Sequence, residues 1–237
     1  MTRPLRFLVC LTALCGSAIS APAASEGRIG IASDYILRGV SQSDGRPALQ
    51  AELQYPSSAN WSVGAQVSQV RLRPSKITTE VNAFVQWRKP VSPDFDLSAT
   101  ATHYAYPNDP RAASYQYNEL ALTMGWRDQL YLTAAWTPQL NLYSTIEGFA
   151  PNREIMTLET SAHRDLSPHW DLRVGLGYYH PVGLDYATYG YGNATVGWHY
   201  GHWLADVGWF WVQNARHRQY SAGPAGGPLA GSLAWSF

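Results

Sequence analysis

The chain has 237 residues, 14% of them charged, with basic and acidic side chains in equal number and a formal net charge of zero. An average soluble domain carries roughly 25% charged residues, and without any basic run, binding to nucleic acid is excluded as an organising function. No stretch reaches the roughly 20 apolar residues of a transmembrane helix, yet ten tryptophans and 15 tyrosines suit a surface that meets lipid through a belt of amphipathic aromatics.

The N-terminus reads as an export signal. Arg3 and Arg6 precede an apolar run from Leu8 to Ile19, and Ala21-Pro22-Ala23 offers small residues where a signal peptidase cuts. Residues 1–24 are therefore expected to be a signal peptide and 25–237 a single mature domain. The chain's two cysteines, Cys10 and Cys15, lie in that segment, so the mature domain has no thiol chemistry. Lipidation at Cys15 is disfavoured by the bulk of Leu14 before it.

From there the pattern has period two. A first strand spans about 28–38. Leu49, Ala51, Leu53 and Tyr55 then alternate with Gln50, Glu52 and Gln54, and Trp61, Val63, Ala65 and Val67 with Ser62, Gly64, Gln66 and Ser68. The same alternation recurs over 81–87, 95–102, 120–126, 130–136, 156–162, 170–176, 194–200, 203–211 and 229–237, which makes twelve strands. The last ends on Phe237, as outer-membrane strands do. Connections 56–60, 89–94, 127–129, 165–169 and 201–202 are short. They alternate with 41–47, 71–76, 107–114, 138–153, 180–190 and 213–228, which are mostly longer. That asymmetry separates periplasmic turns from extracellular loops. A soluble β-sandwich also alternates, but it buries bulky aliphatics, whereas here the apolar face is light at Ala51, Ala65, Ala83, Ala99 and Ala101. The expected fold is an all-β, transmembrane antiparallel barrel of about twelve strands of the outer-membrane type.

Between the first two strands, Asp44-Gly45 favours a tight turn and Pro47 ends pairing. Ser33-Asp34-Tyr35, Arg38-Gly39, Ser41-Gln42 and Pro47 together are more specific than a hairpin requires. This segment resembles the N-terminal signature of the Gcw_chp family of proteobacterial outer-membrane proteins of uncharacterised function, also grouped with TorF-type outer-membrane channels. The match is close over about 33–55. The resemblance implies a single barrel with channel activity and no particular substrate.

If the apolar residues face lipid, their neighbours face the lumen, which makes Asp34, Arg38, Gln50, Glu52, Gln66, Glu119, Arg173 and Asp206 candidate pore-lining residues. Gln54, Asn82, Gln86, Glu159, His163 and Asp171 share that phase. Asp34 and Arg38 are expected on one face of the first strand with Glu52 across from them. Such groups either sort solutes by charge or fill the interior by bonding one another. Both signs occur, so no ion preference follows.

Glu159, Ser161 and His163 place an acid, a nucleophile and a base on one strand face, but residues two apart on a strand stand about 6.5–7 Å apart, beyond nucleophile–base hydrogen bonding. His199, His202 and His217 lack ligand spacing, and 223–228 reads as a loop tip. The expectation is a narrow passive channel or porin for an unidentified small solute, not an enzyme, with no cofactor, no metal and no nucleic acid. Its partners are outer-membrane lipid and lipopolysaccharide. The alternatives are a closed structural or adhesive barrel and a lipid-modifying enzyme built on a barrel.

Overall fold

The structure is a computed structural model that describes residues 25–72, 75–110, 115–144, 148–213 and 229–237. The expected signal segment and most of the last connection, including His217 and 223–228, lie outside the described residues. In chain order, β1 (Glu26–Ala32) is followed by a two-strand hairpin of β2 (Ile36–Leu37) and β3 (Val40–Ser41). Then come β4 (Ala48–Pro56), β5 (Trp61–Leu72), β6 (Ile77–Pro90), β7 (Phe95–Ala105), β8 (Tyr117–Trp126), β9 (Leu130–Ser144), β10 (Gly148–Ser167), β11 (Trp170–Pro181), β12 (Tyr189–Tyr200), β13 (Trp203–Val212) and β14 (Leu229–Ser236). Twelve of these close into one antiparallel barrel, and β2 with β3 forms a separate small sheet.

Closure leaves no unpaired edge, which a strand in lipid cannot tolerate. At the seam, Gly27 N–H donates to Phe237 O at 2.9 Å and Phe237 N–H returns the bond to Gly27 O at 2.9 Å. A Cβ at Gly27 would stand 2.4 Å from the Phe237 ring, so only glycine lets the C-terminal aromatic lie over the first strand.

Alternation becomes facing. Along β4, Leu49, Ala51, Leu53 and Tyr55 are exposed on the outer surface, with Gln50, Glu52 and Gln54 turned inward between them. Inward polar groups bond across strands: Gln54 Nε2 to Ser62 Oγ at 2.8 Å, Thr123 to Thr133 at 2.9 Å, Gln86 Nε2 to Thr100 Oγ1 at 3.3 Å. Tyr55, Trp61, Phe95, Trp126, Trp170, Tyr200, Trp203 and Trp235 are exposed beside the short turns at 57–60, 91–94, 127–129, 168–169 and 201–202, forming an aromatic girdle at that end.

The structure corrects two sequence expectations. The first strand does not run over 28–38: β1 stops at Ala32, and the chain turns into the barrel. The connection expected over 138–153 is mostly strand, because β9 runs to Ser144 and β10 starts at Gly148. Pro138 does not end pairing because it sits in a bulge. Thr137 pairs with Ile155 and Leu140 with Arg153, so Pro138 and Gln139 oppose Glu154 alone and no ladder N–H is needed from the proline.

Candidate pore

The hairpin of β2 and β3 crosses the interior near the end that carries the longer connections. Its root is held by Asp34. The Ser41 hydroxyl donates to Asp34 Oδ1 at 2.6 Å, and Ser43 Oγ lies 2.7 Å from the same oxygen and 2.7 Å from Arg46 O, sharing one proton between them. Ser41 Oγ accepts from Gly45 N–H and Ser43 Oγ from Tyr35 N–H, so the two serines satisfy a turn that has left the strand ladder. At the tip, Arg38 (φ 52°) and Gly39 (φ 77°) form a two-residue turn with both residues left-handed, the geometry that matches strand twist. Glycine is required at the second position also by space: a Cβ there would stand 2.6 Å from Val212 Cγ2 and 2.9 Å from Tyr191 Cβ.

Arg38 tolerates its backbone strain, about 1–2 kcal/mol, because its side chain is clamped. Nη1 and Nη2 donate to Glu119 Oε2 at 2.7 Å and Oε1 at 2.9 Å, a bidentate pair in which the Glu119 side chain is 2% exposed. Thr137 Oγ1 adds a bond to Glu119 Oε2. A second latch holds Tyr35. Its hydroxyl donates to Glu80 Oε1 at 3.0 Å, joined by Asn82 Nδ2 at 2.8 Å and by Tyr106 OH to Oε2 at 2.9 Å. Glu80 is fully buried and these bonds come from neutral donors, so its carboxylate replaces water by the hairpin itself and its neighbours.

Apolar packing wedges the hairpin from both sides. Tyr35 and Leu37 pack with Val70, Ile77, Tyr104 and Tyr106 on one wall, and Ile36 packs with Ala32, Phe210 and Ala230 on another. Each such side chain, fully buried, contributes about 1.5–3 kcal/mol.

Toward the short turns the interior is lined by charged groups. Arg28 Nη2 donates to Glu52 Oε2 at 2.7 Å, Arg88 lies 3.1 Å from Asp96 and 3.3 Å from Asp128, and Arg173 lies 2.8 Å from Asp171 while bonding Asp206. A pocket of about 30 Å³ opens at this end among Glu26, Arg28, Glu52, Gln54 and Ser236.

Of the candidate pore-lining residues, Gln50, Glu52, Gln66, Glu119, Arg173 and Asp206 sit on inward positions of wall strands. Asp34 and Arg38 sit on the inner hairpin instead, and Arg38 meets Glu119 rather than Glu52, whose partner is Arg28. Arg28, Glu80, Arg88 and the tyrosines at Glu80 were not singled out from sequence, although Arg28 and Glu80 stand in phase with Gly30 and Asn82.

Glu159 accepts from Tyr191 OH at 2.6 Å while His163 Nδ1 lies 2.8 Å from Asp128 O, so these two members of the acid–nucleophile–base series are engaged elsewhere. Among the described residues no group of three His, Cys, Asp or Glu could hold a metal ion.

The profile of a family described as "Bacterial protein of unknown function (Gcw_chp)" matches residues 17–218. No curated protein matches the chain. Among solved structures, the NanC porin superposes with a TM-score of 0.55 at 10% identity, covering 90% of this chain and 98% of that one. The KdgM porin in complex with disordered oligogalacturonate gives 0.53 at 7% identity, covering 90% and 98%. An outer membrane channel from Pseudomonas putida F1 gives 0.51 at 11% identity, covering 92% and 97%. At these identities the likeness is one of fold: a twelve-stranded barrel of the outer-membrane type.

Proposed function

The chain belongs to the Gcw_chp family, and we propose that this protein is a passive outer-membrane channel for a small polar solute, narrowed by its own first connection. The observation that carries this reading is the interior itself: a closed barrel lined with charged and amide side chains, into which the first connection folds as a hairpin clamped to the wall. Twelve strands stand between the filled eight-stranded barrels and the open porins of 16–18, and an inward hairpin lowers the bore further. In this reading residues 1–24 direct export, the short-turn end faces the periplasm, and the aromatic girdle contacts lipid, with lipopolysaccharide at the opposite leaflet. Catalysis has no support in the site. The oligogalacturonate of the KdgM complex does not carry over as a solute class, because every lumenal arginine described above is already held by a carboxylate.

A closed structural barrel is the second reading, favoured by the apolar wedge around Tyr35, Ile36 and Leu37. Planar-bilayer recording on refolded mature protein separates them. The channel reading expects unitary currents of small amplitude; silence from barrels that are folded by heat-modifiable migration on gels supports the closed one.

A further inference from the structure

Resting on the channel reading, we infer that the lumen is selective for cations and takes a small cationic or neutral solute in preference to an anionic one. The charges inside the barrel are of both signs, but unequal in number: among the described residues, inward carboxylates (Glu26, Glu52, Asp96, Glu119, Glu159, Asp171 and Asp206) outnumber the guanidiniums of Arg28, Arg38, Arg88, Arg153 and Arg173. Arg28 bonds Glu52 and has Glu26 beside it on the same strand face. Arg38 bonds Glu119, and Glu159, on the inward face of the wall, holds the hydroxyl of Tyr191, whose Cβ lies beside the hairpin tip at Gly39. Arg88 lies between Asp96 and Asp128, and Arg173 between Asp171 and Asp206. The Arg88 and Arg173 clusters each carry one negative charge in excess when their carboxylates are ionised, and Glu26 and Glu159 add two further inward carboxylates.

These clusters run from the short-turn mouth to the hairpin tip, so an ion passing between those two points meets the same sign of excess charge. Low-dielectric walls focus such a field. A negative potential of only one kT changes the ratio of local cation to anion concentration roughly sevenfold. The excess carboxylates are also the ones least committed to the fold. Glu26 Oε2 is buried beside the pocket at the mouth and has no hydrogen-bond partner, and Glu159 holds Tyr191 OH, a contact that glutamine can keep. They are the specificity-determining groups that can be neutralised without breaking an ion pair.

The test is the reversal potential of the refolded protein in a planar bilayer under a KCl gradient, measured for wild type, the double variant Glu26→Gln/Glu159→Gln, and Glu154→Gln. Glu154 accepts from Trp136 Nε1 on the outer surface and controls for loss of charge outside the lumen. We expect a permeability ratio of K⁺ to Cl⁻ above about 5 in wild type, at least a roughly twofold fall in the double variant, and no change in Glu154→Gln. Current with a reversal potential at zero or of anion sign, or a double variant that reverses where wild type does, would overturn the inference while leaving the channel standing. Folded barrels that pass no current would remove the channel reading and this inference together.

Discussion

The two halves of the barrel interior are built on different principles. Near the longer connections the interior resembles the core of a soluble protein: Tyr35, Leu37, Val70, Ile77, Tyr104 and Tyr106 pack together around a buried, fully bonded Glu80. Toward the short turns the described residues form no such cluster; ion pairs and amides share the wall with Phe84 and Tyr131, and the side chains of Arg28 and Glu52 are 28% and 30% exposed. The segment that resembles the family signature belongs to the first half. Asp34, Tyr35, Arg38, Gly39, Ser41 and Ser43 each make a contact that folds or fastens the hairpin, so the motif encodes what occupies the pore rather than what lines its wall.

The contrast predicts unequal responses to mutation. The largest effect belongs to the buried clamp: Arg38→Ala leaves Glu119 buried without its cation and should cost about 3–5 kcal/mol, read as a lower temperature for loss of the compact gel form. On the lipid side, Ala99→Arg or Val196→Arg should hinder assembly at a cost of about 2–4 kcal/mol, whereas Gln66→Arg, facing inward in the polar half, should assemble normally. If all three behave alike, the inward and outward assignment fails.

Gly39→Ala should cost about 1–3 kcal/mol, because the left-handed backbone and the closeness of Val212 and Tyr191 both oppose a Cβ. The smallest effect belongs to the open half. Glu52→Gln should change stability by less than about 1 kcal/mol, since its pair with Arg28 is partly solvated. A stability loss at Glu52 equal to that at Arg38 would erase the distinction between the halves.

The wall was legible in the sequence because period-two alternation sorts side chains to opposite faces without regard to partners, so Gln50, Glu52, Gln66, Glu119, Arg173 and Asp206 could be placed inward by counting. The hairpin was not. Arg28, Gly30, Ala32, Asp34, Ile36 and Arg38 keep one phase, and nothing local distinguishes a strand that continues from one that turns inward at Ser33. What diverts it is a set of contacts distant in sequence, such as Arg38 with Glu119 across 81 residues and Tyr35 with Glu80 across 45. Pro138 misled for the related reason that a bulge depends on the partner strand.

The central claim is that the first connection, and not the barrel wall, sets the bore. Ile36 already pairs with Ser41, so residues 37–40 can be replaced by a two-glycine turn that keeps Ser41 on Asp34 and leaves the hairpin's root in place. Pairing this with Glu119→Gln avoids stranding a buried charge. Single-channel conductance of that variant against wild type is the direct measurement. A several-fold larger unitary conductance is predicted, and a conductance equal to that of wild type would contradict the account.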